Sequence, residues 1–157
     1  MKPPVRFDEE RAFGWTDAFL LGFAPMDDTH REFVELVQPM LTCPVEQLTG
    51  HLEAFAEHAH RHFAQERDWM LDTGFPAAQC HIDEHAAVLK SVEQVLALLR
   101  EGRDPAIARS LAEELARWFP GHADYMDAPL SQWMVKRRHG GAPVVIKRNV
   151  SRARDPQ

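Results

Sequence analysis

Five histidines and two carboxylates carry the chemistry this sequence offers: His30, His62 with Glu66, His81 with His85, and His122 with Asp127. Two of these pairs have i,i+4 spacing. On an α-helix that spacing puts both side chains on one face, about 5 to 6 Å apart at Cβ, near enough to grip one metal ion or two adjacent ones. Imidazole supplies a neutral nitrogen and carboxylate a hard, bridging anion, a mixture that suits a first-row transition metal better than calcium or magnesium. A single histidine on an apolar helix is most simply a hydrogen-bonded core residue. Seven such side chains sharing one interior would be severely desolvated without an ion, which favours metal binding by the set, and their order along the chain reads as a two-iron site.

The elements that must position these residues are helices. Alternating β-branched stretches are missing, and Val144-Val145-Ile146 is the only short β-like run. A first helix fits from about Met26 to Met40, with Asp27, Asp28 and Thr29 as capping material, Phe33, Leu36 and Val37 on its apolar side, and Pro39 and Pro44 closing it. The second runs from about Pro44 to Asp72, with Leu48, Leu52, Phe55, His58, His62, Glu66 and Met70 in a stripe, and breaks at Gly74 and Pro76. A third spans about Ala77 to Arg100, and a fourth begins after Asp104-Pro105 and passes Leu111, Leu115, Trp118 and His122. Four amphipathic helices with short turns predict an all-α, antiparallel up-down four-helix bundle whose inward stripes bring the histidines together.

The fourth helix poses a geometric question. Five residues at 100° each leave Asp127 about 140° around a regular α-helix from His122, too far for a shared cluster, whereas a widened turn would bring it back. Pro120 and Gly121 stand just before His122, and an interior proline removes one backbone bond and obstructs another. Helix four is therefore expected to be irregular there.

With 157 residues the chain suits one domain with a single core. Residues 1–135 are read as the bundle, with 1–25 (Phe7, Phe13, Trp15, Phe19, Phe23) as an aromatic arm packed across it, and 136–157 as a basic tail broken at Gly140-Gly141-Ala142-Pro143. The net charge of −6 hides an uneven division. Seven basic side chains against Asp155 give 136–157 a charge of +6, which leaves 11 basic and 23 acidic side chains, or −12, in 1–135. So acidic a body is a poor partner for nucleic acid, while the tail is a candidate for docking a protein partner. No apolar run approaches the roughly 20 residues needed to span a bilayer, and MKPPVRFDEERAF has no signal-peptide character, so a cytoplasmic protein without a membrane partner is expected. Cys43 and Cys80 are expected to be reduced thiols.

With these residues set out, the sequence resembles the hemerythrin family of non-haem di-iron oxygen-binding bundles, in particular its bacterial single-domain members. The resemblance covers about residues 15 to 130. It is carried by Trp15, Leu21-Gly22, Met26-Asp27-Asp28-Thr29-His30, His62-Phe63-Ala64-Gln65-Glu66, the Gly74-Phe75-Pro76 turn, His81-Ile82-Asp83-Glu84-His85, and Trp118 followed by His122 and Asp127. It implies that His81, His85 and His122 hold one iron, that His30 and His62 hold the other, and that Glu66 and Asp127 bridge them beside an oxo or hydroxo group. Dioxygen would then bind end-on to the iron with two histidines, in a small, dry cavity. Phe33, Phe63, Trp118, Phe119 and Ala123 match the family's apolar pocket wall, with Phe119 where leucine is usual and Ala123 where isoleucine is usual. Ordinary core packing explains aromatic residues at this spacing equally well.

His58 also forms an HxxxH with His62, but only His62 with Glu66 keeps the family's order and supplies an anion, so His58 is read as a core or supporting residue. His51 is placed at the bundle end, His60 off the inner face, His139 in the tail and Asp124 toward solvent. The leading function is reversible binding of dioxygen for storage, delivery or sensing, not catalysis. A di-iron enzyme handling peroxide, nitric oxide or oxygen reduction is the alternative, and a metal-free interaction module is a third. Oxygen-activating carboxylate bundles carry a Glu-rich site with two ExxH motifs, whereas this shell is poorer in anions.

Overall fold

Apolar residues at steps of three and four produce the expected helices, and the computed structural model, which describes residues 13–138, shows where each begins and ends. They are α1 (Ala24–Thr42), α2 (Leu48–Thr73), α3 (Ala78–Arg100), α4 (Ala106–His122) and α5 (Ala128–Arg138), the last two joined by a π-helical segment, Ala123–Asp127. Short 3-10 turns cover Asp17–Phe19 and Val45–Gln47.

Contacts along the helices fix their directions. His30 and Phe33 of α1 meet His62 and Phe55 of α2, Glu66 and His60 of α2 meet His81 and Glu93 of α3, and His81 and His85 of α3 meet Asp127 and His122 on α4 and its π-helical continuation. In every pair one number rises as the other falls, so neighbouring helices run antiparallel. Arg109, at the start of α4, closes the ring by donating to the carbonyls of Cys43 (2.6 Å) and Met40 (3.4 Å), which satisfies the end of α1.

Local details differ from the expected boundaries for physical reasons. α1 starts at Ala24 with proline in its first turn, and Asp27 does not cap it. Instead its carboxylate reaches back to accept from the backbone N–H of Leu21 (2.7 Å) and Gly22 (3.2 Å), tying the arm to the helix. Pro39 does not close α1, which runs on to Thr42; a proline so near the end costs one backbone bond, and Cys43 still donates to the Pro39 carbonyl at 2.8 Å. α2 begins after a 3-10 turn rather than at Pro44.

Gly74 ends α2 with φ +68°, and Phe75 and Gly74 donate to the carbonyls of Met70 and Leu71, the Schellman pattern. A Cβ at Gly74 would meet nothing within 4 Å. Gly74→Ala is therefore expected to lose about 1–2 kcal/mol through backbone conformation alone, read from denaturant unfolding of the metal-free protein.

Two apolar clusters fill the bundle, with the polar residues between them. The larger holds Phe33, Val37, Leu52, Phe55, Phe63, Val92, Leu115 and Phe119, together with Phe13 of the arm. The smaller, at the other end, holds Leu21, Phe23, Met26, Met70, Ala128 and Leu130. α5 shuts that end: Ser131 donates to the Leu21 carbonyl (3.1 Å) and the Trp133 indole to Thr73 Oγ1 (2.8 Å). Lys136, Arg137 and Arg138, the first residues of the sequence-defined tail, form the last turn of α5, with Arg137 over Trp133 and Arg138 over Phe23. The other tail residues singled out, His139 and Val144 to Arg154, lie outside the described residues, as does Phe7. Cys43 and Cys80 are free thiols.

Candidate metal centre

All seven predicted residues meet between the two apolar clusters, each at most 5% exposed. α1 presents His30, α2 His62 and Glu66, α3 His81 and His85, α4 His122, and the π-helical segment Asp127. The widened turn expected after His122 is this segment: Ala128 donates its N–H to the Ala123 carbonyl five residues back, and the same i,i+5 period returns Asp127 to the face of His122. Asp124 and Tyr125 are left on the exposed side.

The two carboxylates divide the five histidines. Glu66 turns Oε2 toward His62 Nε2 (2.7 Å) and His30 Nε2 (3.7 Å), and Oε1 toward His81 Nε2 (3.2 Å) and His85 Nε2 (3.6 Å). Asp127 turns Oδ2 toward His30 Nε2 (3.1 Å), and Oδ1 toward His81 Nε2 (3.1 Å) and His122 Nε2 (3.3 Å). Each carboxylate thus gives one oxygen to a group of two histidines and the other to a group of three. Donor atoms close enough to share an ion fall into the same two groups, Glu66 with His81, His85, His122 and Asp127, and Glu66 with His30 and His62.

The donors fit metal ions better than they fit one another. His85 Nε2 and His122 Nε2 face each other at 3.0 Å, the separation of two donors on bonds of about 2.1 Å set at a right angle. Both nitrogens of His30 and of His81, Glu66 Oε1 and Asp127 Oδ1 are buried without a well-formed hydrogen bond, although several lie within ion-pair distance of each other. Polar atoms that converge but do not align are aimed at a common point rather than at partners.

Electrostatics points the same way. Burial pushes the His30 imidazole toward its neutral form, but the charges and hydrogen bonds of Asp127 and Glu66 outweigh it and raise its pKa to about 10. At His81 burial is again outweighed by these two carboxylates, and the pKa rises to about 9. His85 is held down at about 3, burial there outweighing the pull of Glu66. Burial and mutual repulsion raise the Glu66 carboxyl, yet the surrounding imidazoles hold it well below the usual range, as they hold Asp127 against its own burial. The metal-free cluster at neutral pH therefore stores protons on His30 and His81, which a metal must displace. Metal uptake at pH 7 is expected to release two protons from this pair, and apparent affinity to rise about 100-fold per pH unit until pH nears 9. Calorimetric titrations in buffers of different ionisation enthalpy measure the release, and buffer-independent heats would contradict it.

Aromatic rings surround the cluster. Phe119 sits edge-on to His30 (5.2 Å) and stacks on Phe33 (4.7 Å), which in turn lies 6.3 Å from His62. Phe63 stacks on His85 (3.8 Å), and Trp118 stacks on His122 (4.2 Å). Phe33 and Phe119 thus wall the two-histidine group, and the stacked faces of Phe63 and Trp118 lie against the three-histidine group. Ala123 is buried in the larger apolar cluster. Between α2 and α3 a cavity of about 260 Å³, lined by Phe63, Arg67, Ile82 and Leu89 among others, reaches the His85 ring.

The family model described as "Hemerythrin HHE cation binding domain" matches residues 21–133. The chain belongs to the hemerythrin family. It is 35% identical over 123 residues to a "Bacteriohemerythrin" of Ralstonia nicotianae, covering 78% of this chain and 89% of the relative. A second relative of that name, from Stenotrophomonas maltophilia, is 25% identical over 81% of this chain and 90% of its own. No solved structure gives a significant match. Membership and the buried His/Glu/Asp cluster together make this a non-haem iron protein.

Within this hemerythrin bundle the residues set aside in the sequence stay outside the cluster. His60 is exposed and paired with Glu93 at 2.8 Å, and His51 is half-buried. His58 is buried, with Nδ1 3.2 Å from Glu32 and its ring edge-on to His62; burial lowers its pKa to about 3. Spacing alone does not single out one further residue at the cluster. Glu84, inside the His81–His85 motif, accepts from the Trp118 indole (2.8 Å), and the same oxygen lies 3.3 Å from His122 Nδ1. Its position three residues after one histidine and one before the next was visible, but its partners on α4 were not. Among the described residues no helix is long and apolar enough to cross a membrane.

Proposed function

We propose that this chain binds two iron ions and uses them to bind dioxygen reversibly, as a storage, delivery or sensing protein rather than as an enzyme. The observation that carries the reading is the division of Glu66 and Asp127, each with one oxygen toward His30 and the other toward His81. A carboxylate serving one ion has no need to face two separate groups of donors. His81, His85 and His122 would hold one iron and His30 and His62 the other, with Glu66 and Asp127 across both. Once bound, an iron pair would supply the electrons and the open coordination that oxygen binding requires.

The protein's own part is exclusion. Phe33 and Phe119 back the half of the cluster with fewer donors, where a bound iron would keep an open position, and both are at most 1% exposed. Among the described residues no acid outside the cluster contacts these two rings, so the wall favours holding a small apolar ligand over reducing it. The helices fix the five imidazoles in a shell with only two anions, a poor environment for stabilising highly oxidised metal.

Metal analysis and optical spectroscopy test the proposal together. Two irons per chain are expected after loading. Anaerobic reduction followed by air should produce a visible absorption band that fades when oxygen is removed. A single metal per chain, or direct conversion to the ferric protein with no reversible band even on rapid mixing, would overturn it and favour the enzyme reading.

A further inference from the structure

Glu84 is placed where it can act on the metal centre without joining it. Its Oε1 accepts from the Trp118 indole N–H at 2.8 Å and lies 3.3 Å from His122 Nδ1, while the Trp118 ring stacks on the His122 ring with centroids 4.2 Å apart and planes 24° apart. One carboxylate oxygen, one indole and one imidazole thus form a closed triangle across α3 and α4. His122 Nε2 points the other way, 3.0 Å from His85 Nε2 and 3.3 Å from Asp127 Oδ1.

We propose that Glu84 is a positioning residue for the iron centre: it fixes the tautomer and ring plane of His122 and, through the same oxygen, pins Trp118 against that ring. This rests on the iron-binding reading above. A neutral imidazole that gives its Nε2 lone pair to a metal carries its proton on Nδ1, and that proton faces Glu84. At 3.3 Å the contact is an ion-pair approach rather than an aligned hydrogen bond.

The arrangement is specific to one ligand. The Nδ1 atoms of His30, His62 and His81 are buried without a partner, and among the described residues Glu84 is the carboxylate that stands within ion-pair distance of an outward nitrogen of the five histidines. The Glu84 side chain is also 32% exposed, which places an anion at the edge of the bundle directly behind a ligand. An anion there strengthens donation from His122 to the metal and favours the more oxidised iron. Losing it raises the reduction midpoint, and losing the whole side chain also frees Trp118.

Two substitutions separate the charge from the geometry. In Glu84→Gln an amide oxygen still accepts from the indole; in Glu84→Ala nothing does. Expected for Glu84→Ala is a 10- to 100-fold loss of iron affinity, the usual effect of removing a ligand's outer partner. The Trp118 indole N–H resonance of the metal-free protein, assigned by its loss in Trp118→Phe, should move upfield. Expected for Glu84→Gln is an indole resonance close to wild type, a smaller loss of affinity, and a midpoint potential raised as in Glu84→Ala. Wild-type affinity and potential in both variants, beside a wild-type chain that loads iron normally, would overturn the role of Glu84 alone. A wild-type chain that takes up no iron would overturn the metal reading and this proposal with it.

Discussion

Glu66→Ala is expected to lower iron affinity by more than about 100-fold, beyond the 10- to 100-fold typical of residues that only support a ligand, whereas His60→Ala leaves it unchanged. Glu66 is fully buried at the centre of the cluster, and its two oxygens approach four of the five histidines within 3.7 Å. Removing it strips a donor from both groups at once and takes one of the only two anions from ions that need charge compensation. His60 lies two residues before His62, exposed and paired with Glu93, so its loss touches neither group. The metal-free Glu66→Ala protein should also be less stable than wild type, because imidazoles that carry protons at neutral pH lose one of their two carboxylate partners. Metal content after dialysis against a graded chelator, with circular dichroism of the metal-free forms, measures both effects. Equal iron loss in the two variants would place the metal elsewhere.

The contrast between Glu66 and Glu84 shows what the sequence made legible. His62 with Glu66 and His81 with His85 announce themselves because i,i+4 spacing is a local property of a helix, and the bundle follows from the same period in the apolar residues. Asp127 was legible only with a resemblance behind it: its five-residue step from His122 is wrong for an α-helix and right for the π-helical segment that the structure shows. Pro120 marks the disturbance, since it withholds one backbone donor just before the turn widens. Asp27 looked like a cap from its place near the helix start, but its bonds run back to Leu21 and Gly22. Those depend on how the arm returns over the helix, a path that composition does not specify. Glu84 depends on the rotation of α3 against α4, so no local pattern could single it out. Spacing along one element is written in the sequence, while pairing across elements is settled by packing.

Packing also decides which aromatic residue guards the centre. The resemblance puts Trp118 and Phe63 on the pocket wall alongside Phe119, yet their stacks lie on His122 and His85, the better supplied half. Phe119 faces His30 and stacks on Phe33, and Phe13 and Phe19 of the arm pack edge-on against it at 6.3 and 5.2 Å. Phe19 is only half-buried, so truncating Phe119 opens a route for water from the arm to the two-histidine group. Phe119→Ala is therefore expected to hasten decay of the air-dependent absorption band to the ferric form by on the order of tenfold, the effect of a barrier lowered by about 1.4 kcal/mol. Trp118→Ala should act less, and through its hold on His122. Because Phe→Ala in a core costs about 3–5 kcal/mol, Phe119→Leu provides the gentler comparison and should decay at a rate between the other two. Stopped-flow mixing of the reduced proteins with air-saturated buffer gives the rates, with iron content measured on the same samples. Wild-type decay in a fully loaded Phe119→Ala protein would show that the phenylalanine wall is packing and not a barrier to water.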